Sequence, residues 1–122
     1  MAQSDDDFSE YRPSQRREIT GFSNPLVKDM RALREKKWRK RDGRFLAEGL
    51  RILTEAREAG HIPQMLWRAA DHPGHPLIDE LEDAVLDTGG YIITTSADIL
   101  SKISGKDNAQ TVIGVYREIG VP

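Results

Sequence analysis

Cysteine is absent from the 122-residue sequence, which excludes disulfides, thiolate nucleophiles and cysteine zinc sites and leans towards the cytoplasm. No apolar run reaches the roughly 18 residues that a membrane-spanning helix requires. The opening MAQSDDDFSEYR is acidic and polar, without the positive-then-apolar layout of a secretory signal. Neither a phosphate-binding P-loop nor a Ser-His-Asp arrangement is visible, so no catalytic residue is assigned. Histidine is scarce too. His72-Pro73-Gly74-His75 has H-x-x-H spacing, but its prolines oppose a helix that would present both rings together, and His61 stands apart. No metal site is expected.

What is present suits one compact domain with its own core: 38% hydrophobic and 31% charged residues. The net charge of −2 predicts no polyanion partner, but its distribution does. Lys28, Arg31, Arg34, Lys36, Lys37, Arg39, Lys40, Arg41 and Arg44 face only Asp29, Glu35 and Asp42, a local net of +6, and the rest of the chain carries −8. At physiological salt a polyanion meets the local field rather than the sum, because screening acts beyond about 8–10 Å.

Residues 1–17 read as a disordered acidic tail, with order beginning near Ile19. Asn24 and Pro25 mark a helix start, as a cap and a first-turn proline. Leu26, Met30 and Leu33 make its inward stripe, and the helix ends or bends near Lys37, before the turn Asp42-Gly43. Phe45-Leu46-Ala47 reads as a buried strand and Leu50, Leu53 and Ala56 as the inward side of a second helix stopped at Gly60. Met65-Leu66-Trp67 is the next strand, and the histidine-proline stretch a loop. Ile78, Leu81 and Val85 mark a third helix, whose Asp79, Glu80, Glu82 and Asp83 are expected on its exposed side. Tyr91–Thr95 is a strand, Ser96 caps a short helix carrying Ile99, Leu100 and Ile103, and Thr111–Tyr116 is the last strand. Residues 18–118 thus form the domain and residues 119–122 begin a linker. The alternation predicts a small three-layer α/β/α sandwich around a short sheet of about four strands.

NPLVK (Asn24–Lys28), the basic helix end Lys36–Arg41, FLAEG (Phe45–Gly49) and LSKISGKDNAQTVIGVY (Leu100–Tyr116) together carry a more specific signal. This combination resembles the N-terminal substrate-binding domain of the SpoU family of RNA 2′-O-ribose methyltransferases, over about residues 19–118. The resemblance implies a fold similar to ribosomal proteins that bind kink-turn RNA. It also implies a separate knotted domain that binds S-adenosylmethionine, forms a homodimer and begins just after Pro122. That domain's Asn-x-Gly-x-x-x-Arg, Gly-x-Glu-Gly-x-Gly and Asn-Val-Ser segments do not occur here, and Leu46 stands where the second would need its first glycine. No cofactor is therefore expected on this part, and no activity from it alone.

The expected partner is structured RNA, ribosomal or transfer, since Lys and Arg pair with phosphates and release counterions. The candidate contacts are the nine basic residues from Lys28 to Arg44 together with Arg51, Lys102 and Lys106, the last two beside the loop Ser104–Asn108. Trp38 could stack on a base, but core packing is the better expectation for it. Glu48 closes a strand where Arg44 or Arg51 could pair with it. Two rival readings stay open: a protein-interaction module whose basic helix docks an acidic partner, and a stand-alone binder of structured RNA.

Overall fold

The computed structural model describes residues 15–107 and 111–118. Most of the expected acidic tail, the centre of the loop before the last strand (residues 108–110) and the expected linker lie outside the described residues. The elements in chain order are β1 (Arg16–Ile19), α1 (Pro25–Ala32), α2 (Lys36–Asp42), β2 (Arg44–Glu48), α3 (Leu50–Glu58), β3 (Met65–Ala69), α4 (Pro76–Asp87), β4 (Tyr91–Thr95), α5 (Ala97–Ser104) and β5 (Val112–Arg117).

The strands form one sheet in the order β1-β4-β3-β5-β2. β1, β4 and β3 run parallel, and β5 runs antiparallel to both of its neighbours. Successive strand side chains point to opposite faces, so the continuous apolar runs divide between two cores. Trp67, Ile93, Ile113 and Val115 face Val27, Met30 and Leu33 of the first helix and Ile99, Leu100 and Ile103 of α5. Leu66, Ile92, Val112 and Tyr116 face Leu53 of α3 and Ile78, Leu81 and Val85 of α4. Helices on both faces make the expected three layers, and each such buried aliphatic contributes about 1.5–3 kcal/mol.

The helix starts follow their caps. Asn24 Oδ1 accepts from the Leu26 N–H at 2.8 Å and Ser96 Oγ from the Ile99 N–H at 3.1 Å. His75 does the same for α4, its Nδ1 accepting from the Leu77 N–H at 3.0 Å. The histidine-proline loop is thus explained as a helix start.

Five expectations need correction. The sheet has a fifth strand, β1, over Arg16–Ile19. Of β1 only Ile19 is buried, and polar neighbours hold the rest: Arg16 pairs with Glu82, Arg17 lies 5.3 Å over the Tyr91 ring, and Thr95 Oγ1 donates to the Ile19 carbonyl at 2.6 Å. Secondly, the first helix is two helices. Its polypeptide turns at Leu33–Glu35, where Arg39 Nη1 donates to the Leu33 carbonyl at 3.1 Å and the Arg34 carbonyl at 2.8 Å. Thirdly, β2 is an edge strand and only half-buried along its length. Fourthly, Trp38 is outside both cores, because α2 buries no residue; the sealed indole is Trp67. Finally, Glu82 is 6% exposed rather than on the solvent side of α4. It falls one turn beyond Ile78 on the inward stripe, and its charge is met by Arg68 at 2.7 Å and Arg16 at 3.2 Å.

Candidate nucleic-acid interface

Asn24 and Pro25 start α1 so that Val27 and Met30 point into the sheet, which leaves Lys28 exposed. The Arg39 clasp then folds α2 back against the end of α1, and α2 stops at Gly43, whose left-handed φ of 69° suits glycine. Arg39, Lys40 and Arg41 lie in the last turn of α2, where cations complement the negative end of the helix. With no buried residue, α2 sits along the edge strand β2 and presents Lys36, Lys37, Lys40 and Arg41 to solvent.

Neutralisation by carboxylates would weaken any such strip. Among the described residues Lys28, Arg31, Arg34, Lys36, Lys37, Arg39, Lys40 and Arg41 form no ion pair within 4.0 Å. Arg44 does pair with Asp42, at 3.5 Å, and Arg51 with Glu55, at 3.3 Å. Glu48 pairs with neither arginine but with Lys106, at 3.6 Å. The reason is geometric: Arg44 and Glu48 are at opposite ends of a five-residue strand, about 13 Å apart, and the Arg51 side chain is out in solvent with its own i,i+4 partner.

The structure therefore sorts the predicted contacts. The end of α1 and the loop after α5 come together, since a Cβ added at Gly105 would strike the Arg34 guanidinium, 2.8 Å from its Cζ. Lys102 and Lys106 are exposed in the same region, Lys102 in the last turn of α5. Arg51 belongs to α3, in the opposite layer, and is not part of this group. Arg39 is present but spent on the clasp.

Sequence reading missed the shape of the surface around Trp38. Asp29 and Ala32 of α1 and Trp38, Arg41, Asp42 and Arg44 line an open groove of about 570 Å³. The indole is half-buried, with Lys37 Nζ 5.4 Å and Arg41 Cζ 5.1 Å from its ring centre. Such cation–π contacts are worth about 0.5–1 kcal/mol at exposed sites and hold the cations over the ring face. A second concavity, of about 320 Å³, lies between β2, β5 and α3 and is mainly apolar, with Phe45, Ile52, Ala56, Ile62 and Tyr116 in its walls. Among the described residues no group of three metal-ligating side chains could hold an ion, and no helix is long and apolar enough to cross a membrane.

A basic strip with a half-open aromatic ring is one kind of surface that polyanions select, and the comparisons bear on which. Residues 24–114 match the MRM3-like substrate binding domain. The chain belongs to this family. A comparison with curated proteins finds no match. Among solved structures the MRM3-like chain is similar to an AdoMet-bound rRNA methyltransferase from Sinorhizobium meliloti, at 30% identity and a TM-score of 0.78, over 88% of this chain and 39% of that one. It is similar also to an RNA 2′-O ribose methyltransferase, at 27% identity and a TM-score of 0.72, over 86% of this chain and 39% of that one. The MRM3-like chain thus spans about two fifths of the length of these relatives. The 15.5kD RNA binding protein of Giardia lamblia shares the fold alone, at 13% identity and a TM-score of 0.54, over 75% and 71% of the two chains. The resemblance read from NPLVK and FLAEG holds, and so does the small α/β architecture it implied.

Proposed function

We propose that this MRM3-like domain is the RNA-recognition part of an RNA 2′-O-ribose methyltransferase and performs no chemistry itself. It captures structured ribosomal or transfer RNA in the cytoplasm and presents a ribose hydroxyl to a separate, homodimeric domain that holds S-adenosylmethionine. The observation that carries this reading is the strip of Lys36, Lys37, Lys40 and Arg41: exposed, free of carboxylate partners among the described residues, and mounted on a domain whose relatives include rRNA methyltransferases. Arg34, Lys102 and Lys106 extend it past the end of α1. The grip is on the sugar–phosphate chain, because a paired RNA helix hides its major-groove edges.

If about four phosphates are contacted, log affinity falls with log salt at a slope of roughly −3, a loss of about 60-fold between 50 and 200 mM. Filter binding with a structured RNA measures this. The variant Lys36→Ala/Lys37→Ala/Lys40→Ala/Arg41→Ala is expected to keep its thermal midpoint while the slope rises towards zero and affinity at low salt drops at least about tenfold. Arg39 is left intact because it holds the helices together. Equal affinity of parent and variant at 50 mM salt would overturn the proposal.

A further inference from the structure

The strip explains binding to phosphate but leaves the Trp38 groove without a purpose. Its walls are chemically mixed: a half-exposed indole, the guanidinium groups of Arg41 and Arg44, and the carboxylates of Asp29 and Asp42. Asp42 is engaged by Arg44 at 3.5 Å, whereas Asp29 has no ion-pair partner among the described residues. A free carboxylate repels phosphate and accepts N–H groups. An aromatic face beside it attracts any base that can leave its stack.

We infer that the groove receives one unpaired base of the RNA, stacked on Trp38, with Asp29 accepting from the base edge. This rests on the RNA-recognition reading above and adds to it a demand for a loop or bulge. Lys37 and Arg41 stand over the ring, 5.4 and 5.1 Å from its centre, so the stacking base displaces a cation from the indole face, and both then meet the phosphates on either side of the splayed nucleotide. Guanine fits best, since its Watson–Crick edge offers a carboxylate two adjacent N–H groups. The groove's volume of about 570 Å³ leaves room for a nucleoside.

The test uses the full chain with two RNAs of equal length, a hairpin with a guanine-containing loop and a blunt duplex. Stacking quenches indole emission; because Trp67 is sealed, the hairpin should quench the exposed Trp38 signal and the duplex should not. Trp38→Ala should weaken hairpin binding about tenfold, within the range measured for single stacked bases, leaving duplex affinity and the salt slope unchanged. Trp38→Phe, which keeps an aromatic face, should restore most of the loss. Asp29→Asn should abolish the preference for a guanine loop over a uracil loop. Hairpin binding that is indifferent to Trp38→Ala, or a loss shared equally with the duplex, overturns the inference and leaves salt-dependent RNA binding standing. A retained guanine preference in Asp29→Asn overturns the role of that carboxylate. Absence of binding to either RNA by the parent chain would sink both readings together.

Discussion

Tyr116 stands on β5 with its ring stacked on Phe45, centres 5.6 Å apart, and its hydroxyl is buried without a hydrogen-bond partner among the described residues. Burial disfavours the phenolate and pushes the group up to about 12, from an ordinary 10.0. The consequence for stability follows from linkage. Because the folded protein holds the proton to higher pH than the unfolded chain, the contribution is fully present below pH 10.0 and is lost as pH rises towards about 12. Tyr116→Phe removes both the titration and an unsatisfied hydroxyl. It should be neutral or stabilising by about 1 kcal/mol at pH 7, and the gap over the parent should widen between pH 10 and 12 in urea unfolding. A gap that stays constant with pH would show that the phenol does not titrate abnormally. Single residues were also where the sequence was hardest to read. Two tryptophans of equal apolarity were assigned by local pattern: Trp67, in a continuous apolar run, is in the core as expected, whereas Trp38, amid lysines, is held half-open by a helix that packs only against an edge.

Between residues and the whole, α1 and α2 depend on one side chain. Arg39 satisfies two carbonyls that the end of α1 leaves without partners, and it does so across a three-residue turn. Arg39→Ala should therefore lower stability by about 1–2 kcal/mol, as loss of charge-assisted hydrogen bonds does, while the salt slope of RNA binding moves little. A variant as stable as the parent but with a slope shallower by about 1 would reassign Arg39 from clasp to contact. The clasp also shows why the bend was expected too late, near Lys37: apolar spacing through Leu26, Met30 and Leu33 reports a helix, but the break after Leu33 is held by an arginine six residues further on reaching back to its carbonyl. Strands β3, β4 and β5 were legible because both of their faces are covered, which demands continuous apolar runs such as Leu66-Trp67 and Ile92-Ile93. β1 was not, since Arg16 and Arg17 carry no apolar signal and find their partners, Glu82 and Tyr91, some 65 and more residues away in sequence. Glu82 itself was readable in principle, as its place on the stripe of Ile78, Leu81 and Val85 puts it inside.

At the scale of the molecule, charge is separated by layer and by position along the sheet. α2 runs beside β2, the last strand in the order, whereas α4 packs on β3 and β4 in the opposite layer, two to three strands away. Strands are spaced about 4.8 Å apart, so the lateral offset alone is about 10–14 Å, more than the roughly 8 Å screening length at 0.15 M salt. The acidic face of α4 and the basic strip are therefore electrically independent under physiological conditions, and a chain of net charge −2 can still hold a polyanion. Asp79→Asn/Asp83→Asn, two exposed changes that bring the net charge to zero, should alter RNA affinity at 0.15 M salt by less than about twofold. The same pair should matter more at 0.01 M salt, where screening extends to about 30 Å. If instead this double variant tightens binding at 0.15 M as strongly as removing Lys36, Lys37, Lys40 and Arg41 weakens it, attraction would be set by the sum of charges, and the strip on α2 would lose its special place.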